Sequence, residues 1–488
     1  MESDKFWLSF KGQTKFVKHL GKGAQGTVDL HMFKDEKVAV KIYFPDENGD
    51  IRADYLRELT IYYTLRDCPY VDQIIDTNSI IDDEELVLQI MKTYHDSNLL
   101  TYIKTTSFQE RLQHSVIVIE QLLAGLAVIH QKNIIHRDIK PDNILIDFVD
   151  EVPQIFYTDF GSSIKMLTDK NYRVEEMNTD VTTPLYRAPE LLLNEFYYDE
   201  RVDIWSLGVT LVEYFLSKPF TNPSSRAFMA AKQNSNNAII YQIIEFLSKD
   251  WTFDQFPDLD DHVDIKKIFV SKMVGFQHNQ IPSETIKLIE SMLVINPKNR
   301  KIVYPEVEVC SNPDELWRGE SKIPLTSYYK NVQLLIQIAG ILVLKPSTLI
   351  WAIDLLDRYL CNIKFDEKAL KLIAATCLFI TNKINEIEGP NYIHYGKLFG
   401  LPGEDIRNFQ LTVLEKLNYI INSNDYEEYI AIVNNNYEKF CPKRLCKDSE
   451  KDLAILKTYN QLKDLYKRIE EDGLYAGDMF YIEIIEYL

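Results

Sequence analysis

Four polar side chains in two short motifs could carry out phosphoryl transfer. The first motif, HRDIKPDN, occupies residues 136–143, and Asp159 opens the second, DFG. Asp138 could accept the proton of a substrate hydroxyl, and Lys140 could offset charge on the phosphoryl group in transfer. Asn143 and Asp159 offer the oxygen ligands that Mg²⁺ prefers. The spacing therefore predicts magnesium-dependent transfer of a phosphoryl group to a hydroxyl group.

A glycine-rich segment and a lysine upstream of these motifs could bind the phosphates of a nucleotide. GKGAQGTV places Gly21, Gly23 and Gly26 between two β-like segments, where backbone amides could close over phosphates. Lys41 ends the segment VAVK, where its ammonium could neutralise inner phosphates, and Glu58 could hold that ammonium. Each feature alone also fits a hairpin, a solvated lysine or a turn aspartate. Their order along the chain predicts one ATP site.

The elements that position these residues follow from periodicity. Residues 15–95 read as short β-branched segments with one helix over 53–65, and helical patterns dominate from about residue 107. Residues 304–325 lose this periodicity and contain three prolines, which is typical of a linker. The sequence beyond it predicts helices over 328–344, 347–360, 367–385 and 405–419. We therefore expect a β-rich lobe, a helical lobe and a separate helical domain.

Bulk properties exclude several classes of protein. The chain has 488 residues and a formal net charge of -19, which disfavours direct binding of nucleic acid. Its six cysteines form no C-x-x-C pair, so neither a disulfide framework nor a cysteine metal site is expected. The N-terminus lacks the apolar core of a signal peptide, and no apolar run of membrane-spanning length is expected. These features predict an intracellular protein, in the cytoplasm or the nucleus.

With these motifs in order, residues 10–304 resemble a eukaryotic protein kinase of the serine/threonine class, to which Lys140-Pro141 points. The resemblance implies ATP and Mg²⁺ as cofactors and an α+β bilobal fold, with lobes over 10–92 and 93–304. It implies catalytic roles for Lys41, Glu58, Asp138 and Lys140, and metal ligands at Asn143 and Asp159. It implies nucleotide contacts at Gly21, Gly23, Gly26, Val28, Ala39, Lys41, Leu88, Gln89 and Met91, with Leu88 as gatekeeper and 89–91 as the adenine-binding hinge.

Further motifs of the kinase resemblance lie in the helical lobe. Ala188-Pro-Glu190 resembles the end of an activation segment, and the helix that begins near Asp203 resembles the one that braces the catalytic loop. Arg300 matches the arginine that pairs with the glutamate at Glu190 in this family. The resemblance therefore implies an intact catalytic domain.

Within the kinases, the chain resembles the cyclin-dependent type. Leu56-Arg57-Glu58 is similar to the end of the PSTAIRE-type helix, without its Pro-Ser-Thr start. Arg187, directly before Ala188, implies a preference for proline after the phosphorylated residue. Arg57 and Arg137 match arginines that receive an activation-loop phosphate. The usual threonine is replaced by Asn178, so we expect either phosphorylation of Thr179 or a substitute carboxylate at residues 175–176.

The C-terminal helices resemble a cyclin box. The sequences of residues 347–360 and 370–386 are similar to its second and third helices, and Lys383 matches the lysine that contacts the kinase. The glutamate partner of that lysine is replaced by Gln410. Residues 328–344 lack the family's substrate-docking pattern. A generic amphipathic bundle remains the alternative interpretation.

The resemblances together predict an all-α cyclin-like domain over 326–425 that follows a linker at 305–325 and precedes a helical extension at 426–488. The expected partners are protein substrates with Ser/Thr-Pro sites and the kinase domain of the same chain or of a second copy. An extended linker of about 20 residues could span about 65 Å. Two alternatives are a non-catalytic scaffold and a transcription-linked binding protein.

Overall fold

The structure is a computed structural model that describes the greater part of the chain. The described residues are 14–22, 26–46, 49–82, 85–166, 177–179, 181–194, 196–217, 281–294, 296–307, 325–342, 344–362, 369–386, 389–417 and 421. The predictions for Gly23, for residues 175–176, for most of the 305–325 linker and for the 426–488 extension lie outside them.

The N-terminal lobe is built on an antiparallel sheet of five strands in the order β1-β2-β3-β5-β4. The strands are β1 (Thr14–Lys22), β2 (Thr27–Phe33), β3 (Glu36–Tyr43), β4 (Ile74–Asp82) and β5 (Glu85–Thr93). Val38, Val40 and Ile42 alternate along β3 and are buried together on one face of the sheet. Because side chains alternate across a strand, Ala39 and Lys41 lie on the opposite face, which looks toward the catalytic residues.

Helix α1 (Ala53–Thr64) links this sheet to the rest of the molecule. Its Tyr55, Leu56 and Leu59 side chains are buried against the sheet and against the C-terminal helices. Glu58 lies on the same helix and is fully buried. The packing of α1 therefore sets where the Glu58 carboxylate points.

The second lobe is mainly helical. Its elements are β6 (Ser97–Asn98), α2 (Leu99–Thr105), α3 (Phe108–Gln131), β7 (Ile134–Ile135), β8 (Ile144–Val149), β9 (Val152–Tyr157), β10 (Ile164–Lys165), α4 (Pro189–Leu192), α5 (Arg201–Leu216) and α6 (Ser283–Met292). Strands β6, β8 and β9 form one small sheet, and β7 pairs with β10. The HRDIKPDN motif lies between β7 and β8, so short strands hold both ends of that loop.

Helix α3 is long and apolar enough to cross a membrane by length and composition alone, with a mean hydropathy of 1.7 in its most apolar window. The expectation that no apolar run reaches that length was therefore wrong. In the structure, 61% of that window is buried. Its apolar residues, among them Leu122, Leu126 and Ile129, belong to the core of the helical lobe.

The C-terminal domain consists of helices within its described residues. They are α7 (Leu325–Leu342), α8 (Pro346–Asn362), α9 (Leu370–Asn385), α10 (Tyr392–Phe399) and α11 (Gly403–Lys416). Helix α10 was missed by periodicity because it is short. Its boundaries nonetheless have signals, since the Asn391 side chain accepts a hydrogen bond from the His394 amide and Gly400 has a φ of 61°.

Two large apolar cores organise the molecule. The first fills the helical lobe around Trp205 and Phe160. The second contains Tyr55, Leu56 and Leu88 from the N-terminal lobe together with the inward faces of α7 to α11. The predicted fold class, a bilobal α+β domain followed by an all-α domain, is confirmed. The second core also joins the two domains through α1.

Candidate active site

Asp138 lies at the centre of a compact hydrogen-bond cluster. One carboxylate oxygen accepts from the Thr183 amide at 2.8 Å and from the Thr183 hydroxyl at 2.9 Å. The other oxygen accepts from Lys140 Nζ at 2.8 Å and from Asn143 Nδ2 at 2.9 Å. The side chain of Asp138 retains 14% exposure. These contacts fix the carboxylate in one orientation and leave it accessible to a hydroxyl group.

A buried carboxylate on α5 anchors the loop that bears Asp138. The Asp203 carboxylate accepts hydrogen bonds from the backbone amides of His136 at 2.7 Å and Arg137 at 2.8 Å. Arg137 has a φ of 64°, a left-handed conformation that costs free energy in any non-glycine residue. The bond from the Thr182 hydroxyl to the Arg137 carbonyl also holds this conformation. The predicted bracing of the loop by the Asp203 helix therefore agrees with the structure.

Lys41 brings the two lobes together by contacting two carboxylates. Its Nζ lies 2.6 Å from Glu58 Oε2 and 2.7 Å from Asp159 Oδ1. The Tyr43 hydroxyl donates to the same oxygen of Glu58. The structure thus assembles the predicted set of Lys41, Glu58 and Asp159 in a single site, with Glu58 on α1 turned inward.

Asp159 is partly exposed, with 34% of its side chain accessible, and its carboxylate lies against a cation. Burial alone would raise the pKa of its carboxyl group, but the Lys41 ammonium lowers that pKa below its usual range. Its φ of 65° is left-handed, and its backbone amide donates a hydrogen bond to the Tyr62 hydroxyl oxygen at 3.3 Å. The backbone therefore holds a charged carboxylate at the junction of the lobes.

The donor set fits a magnesium ion bound together with phosphates. The Asn143 amide nitrogen donates to the Asp138 carbonyl and carboxylate, which leaves the amide oxygen for a cation. Asp159 supplies a carboxylate, and Mg²⁺ commonly takes one or two protein oxygens along with phosphates and water. Among the described residues, no group of three His, Cys, Asp or Glu side chains is arranged to hold a metal by itself.

The glycine-rich segment connects β1 and β2 above this site. A Cβ atom on Gly26 would lie 1.9 Å from the Ile42 carbonyl oxygen, so any side chain there would displace the backbone of β3. A Cβ atom on Gly21 would meet nothing within 4 Å. Val28 pairs with Gly21 on one side and Lys41 on the other, and both Val28 and Ala39 are partly exposed. Val28 and Ala39 therefore line the accessible N-terminal-lobe side of the site.

The assignment of the gatekeeper and the hinge to Leu88, Gln89 and Met91 is wrong. Strand β5 continues to Thr93, and the chain passes to the second lobe only after that residue. Leu88 pairs with Tyr43, so it lies farther from this connection than Lys41 does. Leu88 is fully buried in the core shared with the C-terminal helices, and Met91 faces the opposite side of the sheet.

The corrected positions follow from the same ladder. Lys92 pairs with Ala39, so it lies on the site-facing side of β5, and the chain leaves the sheet directly after Thr93. The gatekeeper position is therefore Lys92, and the connection between the lobes begins at Thr93. The assignment from the resemblance placed the gatekeeper at Leu88, in the interior of β5, and so began the hinge before the strand ends.

The predicted regulatory arginines lie near each other, but the contacts differ from the prediction. Arg57 Nε donates a hydrogen bond to the Ile384 carbonyl at 3.0 Å. Burial, together with the nearby charge of Arg137, lowers the pKa of Arg57 to about 10. Arg137 donates to the Ser162 carbonyl at 2.6 Å. The Thr179 hydroxyl instead bonds with Asn194 at 3.5 Å and is buried. A phosphate on Thr179 would require this side chain to turn toward the arginines.

Two further arginines secure the activation segment. Arg187 Nη2 donates to the carbonyls of Val181 and Thr182, each at 3.0 Å. Arg300 forms two bonds with the Glu190 carboxylate, at 2.7 and 3.0 Å, and is almost completely buried. The predicted partnership of Glu190 and Arg300 is therefore present in the structure.

The residues predicted at the cyclin interface meet the kinase domain just before α1. Lys383 Nζ lies 2.7 Å from Asp50 Oδ2 and 2.9 Å from the Ile51 carbonyl. Gln410 accepts from Lys383 at 2.9 Å and donates to Asp50 at 2.9 Å. Burial lowers the pKa of Lys383, although Asp50 acts in the opposite direction. The replacement of the expected glutamate by Gln410 thus leaves Asp50 as the anionic partner.

Sequence reasoning missed four residues of these sites. Tyr43, Lys92 and Thr183 contact catalytic side chains, and Asp50 contacts the interface lysine. For Tyr43, alternation along β3 was an available signal, because it places Tyr43 on the same face as Lys41. The other three depend on long-range packing, for which the local sequence has no signal.

Comparisons with known proteins agree with this geometry. A model of the protein kinase domain matches residues 14–305, and a model of the cyclin N-terminal domain matches residues 302–422. The chain is similar to mitogen-activated protein kinase 12 of Danio rerio, with 30% identity over 62% of this chain and 80% of that protein.

Other relatives match over smaller shares of their length. A probable cyclin-dependent serine/threonine-protein kinase of Dictyostelium discoideum is 28% identical over 59% of this chain and 42% of its own length. The serine/threonine-protein kinase CLA4 of Candida albicans is 34% identical over 42% of this chain, which spans about a fifth of that protein.

Proposed function

The chain belongs to the protein kinase family, and from that premise we propose that it is a serine/threonine kinase activated by its own covalently attached cyclin-like domain. It transfers the γ-phosphoryl group of ATP to serine or threonine hydroxyl groups of proteins. The observation that supports this proposal is the cluster in which Lys140 and Asn143 both donate hydrogen bonds to the accessible carboxylate of Asp138. Such positioning supplies most of the catalysis in phosphoryl transfer.

Asp138 orients the substrate hydroxyl and accepts its proton. Thr183 bonds one oxygen of the carboxylate through both its amide and its hydroxyl, which holds the plane of the group. Lys140 also donates to the Thr183 hydroxyl at 2.7 Å, so its ammonium lies in the same cluster as the Asp138 carboxylate that would receive the substrate hydroxyl. The pairing of Lys140 with Thr183 supports serine and threonine as the acceptor residues.

Lys41 and Glu58 position the nucleotide, and Asn143 and Asp159 hold the metal. The buried ion pair directs the Lys41 ammonium toward the site between the lobes, where it neutralises the inner phosphates of ATP. Magnesium, when bound, offsets the negative charge of the phosphates that would otherwise repel the nucleophile. Gly26 allows the glycine-rich segment to lie directly against the Ile42 backbone of β3, which a side chain would prevent.

A preference for proline after the acceptor residue is supported by Arg187. Its guanidinium binds the carbonyls of Val181 and Thr182, directly before the Thr183 that contacts Asp138. This arrangement fixes the backbone that borders the acceptor site. The similarity to a mitogen-activated and a cyclin-dependent kinase also supports this preference.

The cyclin-like domain acts by stabilising the inward position of α1. Apolar residues of α1 share a core with helices α7 to α11, and Arg57 of α1 bonds to the last turn of α9. If α1 moved outward, it would expose this core and break the Lys41–Glu58 pair. The domain therefore removes the population in which the pair is broken.

One assay tests the catalytic proposal. Purified full chain should phosphorylate a Ser-Pro peptide in the presence of ATP and Mg²⁺, and substitution of the peptide proline by alanine should lower kcat/KM by about tenfold or more. Asp138→Asn should abolish transfer, because the amide cannot accept the proton of the substrate hydroxyl, and its circular dichroism spectrum should show that the fold is retained. Equal activity of Asp138→Asn and the unmodified chain would refute the proposed role of the carboxylate. Inactivity of the unmodified chain would favour a non-catalytic scaffold.

A further inference from the structure

A second lysine is buried beside the catalytic ion pair. Lys92 lies on β5 opposite Ala39, on the same face of the sheet as Lys41, and its side chain is 9% exposed. Burial opposes its charge, but the neighbouring Tyr62, Asp72 and Glu58 hold the pKa of Lys92 well above its ordinary value. A charged ammonium is therefore built into the inner wall of the site.

The contacts of Lys92 connect three elements. Its Nζ donates to the Tyr62 hydroxyl on α1 and to the Thr158 hydroxyl, both at 2.9 Å. It lies 3.1 Å from the Asp72 carboxylate, which is completely enclosed. Thr158 directly precedes the metal-binding Asp159. Lys92 thus links α1 to the segment that carries Asp159.

The same ammonium lies beside the free oxygen of the catalytic glutamate. Glu58 Oε2 is occupied by Lys41 and Tyr43. Glu58 Oε1 is buried and has no hydrogen-bond partner among the described residues, and Lys92 Nζ lies 3.8 Å from it. A buried carboxylate needs compensating charge, and at 3.8 Å Lys92 supplies it electrostatically.

From this geometry we propose that Lys92 is a positioning residue that holds Glu58 inward as a second cation, so that Lys41 can engage the phosphates of ATP without leaving Glu58 uncompensated. The inference rests on the proposed kinase function. Lys92 does not itself contact the reacting atoms. It acts through Glu58, and through Tyr62 on the same helix.

The experiment separates this role from simple compensation of Asp72. Lys92→Met removes the charge, and we expect kcat to fall by about tenfold or more while KM for ATP changes by less than about threefold, because a smaller fraction of molecules holds Glu58 inward against Lys41. The melting temperature should also fall, since Asp72 is left buried without its cation. Lys37→Met, on an exposed residue of β3, serves as the matched control and should match the unmodified chain in both.

A charge-neutral pair makes the test decisive. Lys92→Gln/Asp72→Asn removes both charges and keeps groups that can hydrogen-bond to Tyr62 and Thr158. We expect this double variant to recover the melting temperature but not kcat, because Glu58 still lacks its second cation. Recovery of kcat in the double variant, or unchanged kcat in Lys92→Met, would overturn the positioning role. Inactivity of the unmodified chain would overturn the proposed function itself, and this inference with it.

Discussion

At the scale of single residues, the site consists of charges that are buried with their counter-charges. Lys41 contacts Glu58 and Asp159, and Lys92 contacts Asp72. Each contact restricts the orientation of a charged side chain. Removing one member of such a set costs more than removing an exposed ion pair, because the partner remains buried and uncompensated.

The close approach at Gly26 leads to a first prediction. Gly26→Ala would place a Cβ atom 1.9 Å from the Ile42 carbonyl oxygen, so the glycine-rich segment must shift away from β3. Overpacking of this kind costs about 1–3 kcal/mol. We expect kcat/KM for ATP to fall by about tenfold or more in steady-state kinetics.

Gly21→Ala is the matched control, because its Cβ atom would meet nothing within 4 Å. Gly21→Ala should lose less activity than Gly26→Ala if the contact with Ile42 determines the effect, because Gly21 borders the site but has room for a side chain. Equal losses in the two variants would show that backbone freedom, and not the contact with Ile42, is what the segment requires.

His95 leads to a second prediction, on pH dependence. Its Nδ1 lies 2.7 Å from Asp147 and its Nε2 lies 3.4 Å from Asp72. Burial alone would lower the pKa of His95, but the two carboxylates raise it above 6.5. The resulting stabilisation is fully present below about pH 6.5 and is lost as the pH rises through the pKa of the folded state.

Melting temperatures measured from pH 5.5 to 8.5 test this dependence. The difference between the unmodified chain and His95→Gln should be largest at low pH and should shrink as the pH rises. His394→Gln, at an exposed position on α10, should follow the unmodified chain throughout. A difference that grew with pH would contradict the assigned sign.

At the scale of elements, α5 and the end of the activation segment hold the catalytic loop in place. Asp203 on α5 binds the loop backbone, and Arg300 binds both Glu190 on α4 and the Arg201 carbonyl at the start of α5. The Arg300 guanidinium also lies 5.1 Å from the centre of the Trp205 ring. One buried side chain thus connects two helices of the lobe.

Arg300→Ala is therefore expected to destabilise the helical lobe. Breaking a buried pair leaves Glu190 uncompensated and typically costs about 3–5 kcal/mol. Calorimetry should show a melting temperature several degrees lower, and Arg300→Ala/Glu190→Gln should recover part of the loss. Lys298→Ala, an exposed neighbour, should have no comparable effect. A double variant no more stable than Arg300→Ala would show that the stacking on Trp205 dominates.

The sequence predicted the elements better than the positions within them. Helix α1 was expected over 53–65 and spans Ala53–Thr64, because its apolar spacing indicates a helix. The gatekeeper was misplaced because Lys92 is a buried lysine. A polar residue in a strand usually marks an exposed position, and only the contact with Asp72, in the segment just before β4, compensates the buried charge of Lys92.

The interface shows the same limit of local reasoning. Similarity to cyclin helices indicated Lys383 and Gln410, and both contact the kinase domain in the structure. Asp50 carried no signal of its own, since an aspartate near Gly49 reads as a turn residue. The pairing of Asp50 with Lys383 spans more than 300 residues of sequence and depends on the packing of both domains.

At the scale of the whole molecule, one apolar core joins the two domains. Tyr55, Leu56 and Leu59 of α1 are buried in the same cluster as the helices of the cyclin-like domain. Attachment on the same chain gives the cyclin-like domain a high effective concentration at α1, so their contact should not depend on protein concentration. We therefore expect that any activation occurs within one chain.

Mixing two defective full-length variants tests that expectation. Asp138→Asn lacks the catalytic carboxylate but keeps its interface, and Lys383→Met keeps the carboxylate but has an impaired interface. Activation within one chain predicts that the mixture has the summed activity of its components at every concentration. Activity well above that sum would indicate that one chain activates another.

The most direct test of the account is the activity of Lys383→Met measured against Lys397→Met with a Ser-Pro peptide. Lys383 compensates the buried Asp50 just before α1, whereas Lys397 is an exposed lysine of the same domain. We predict that Lys383→Met lowers kcat/KM by about tenfold or more, since a buried pair is broken, and that Lys397→Met leaves it unchanged. Full activity of Lys383→Met would contradict the claim that contact with the cyclin-like domain positions Glu58 for catalysis.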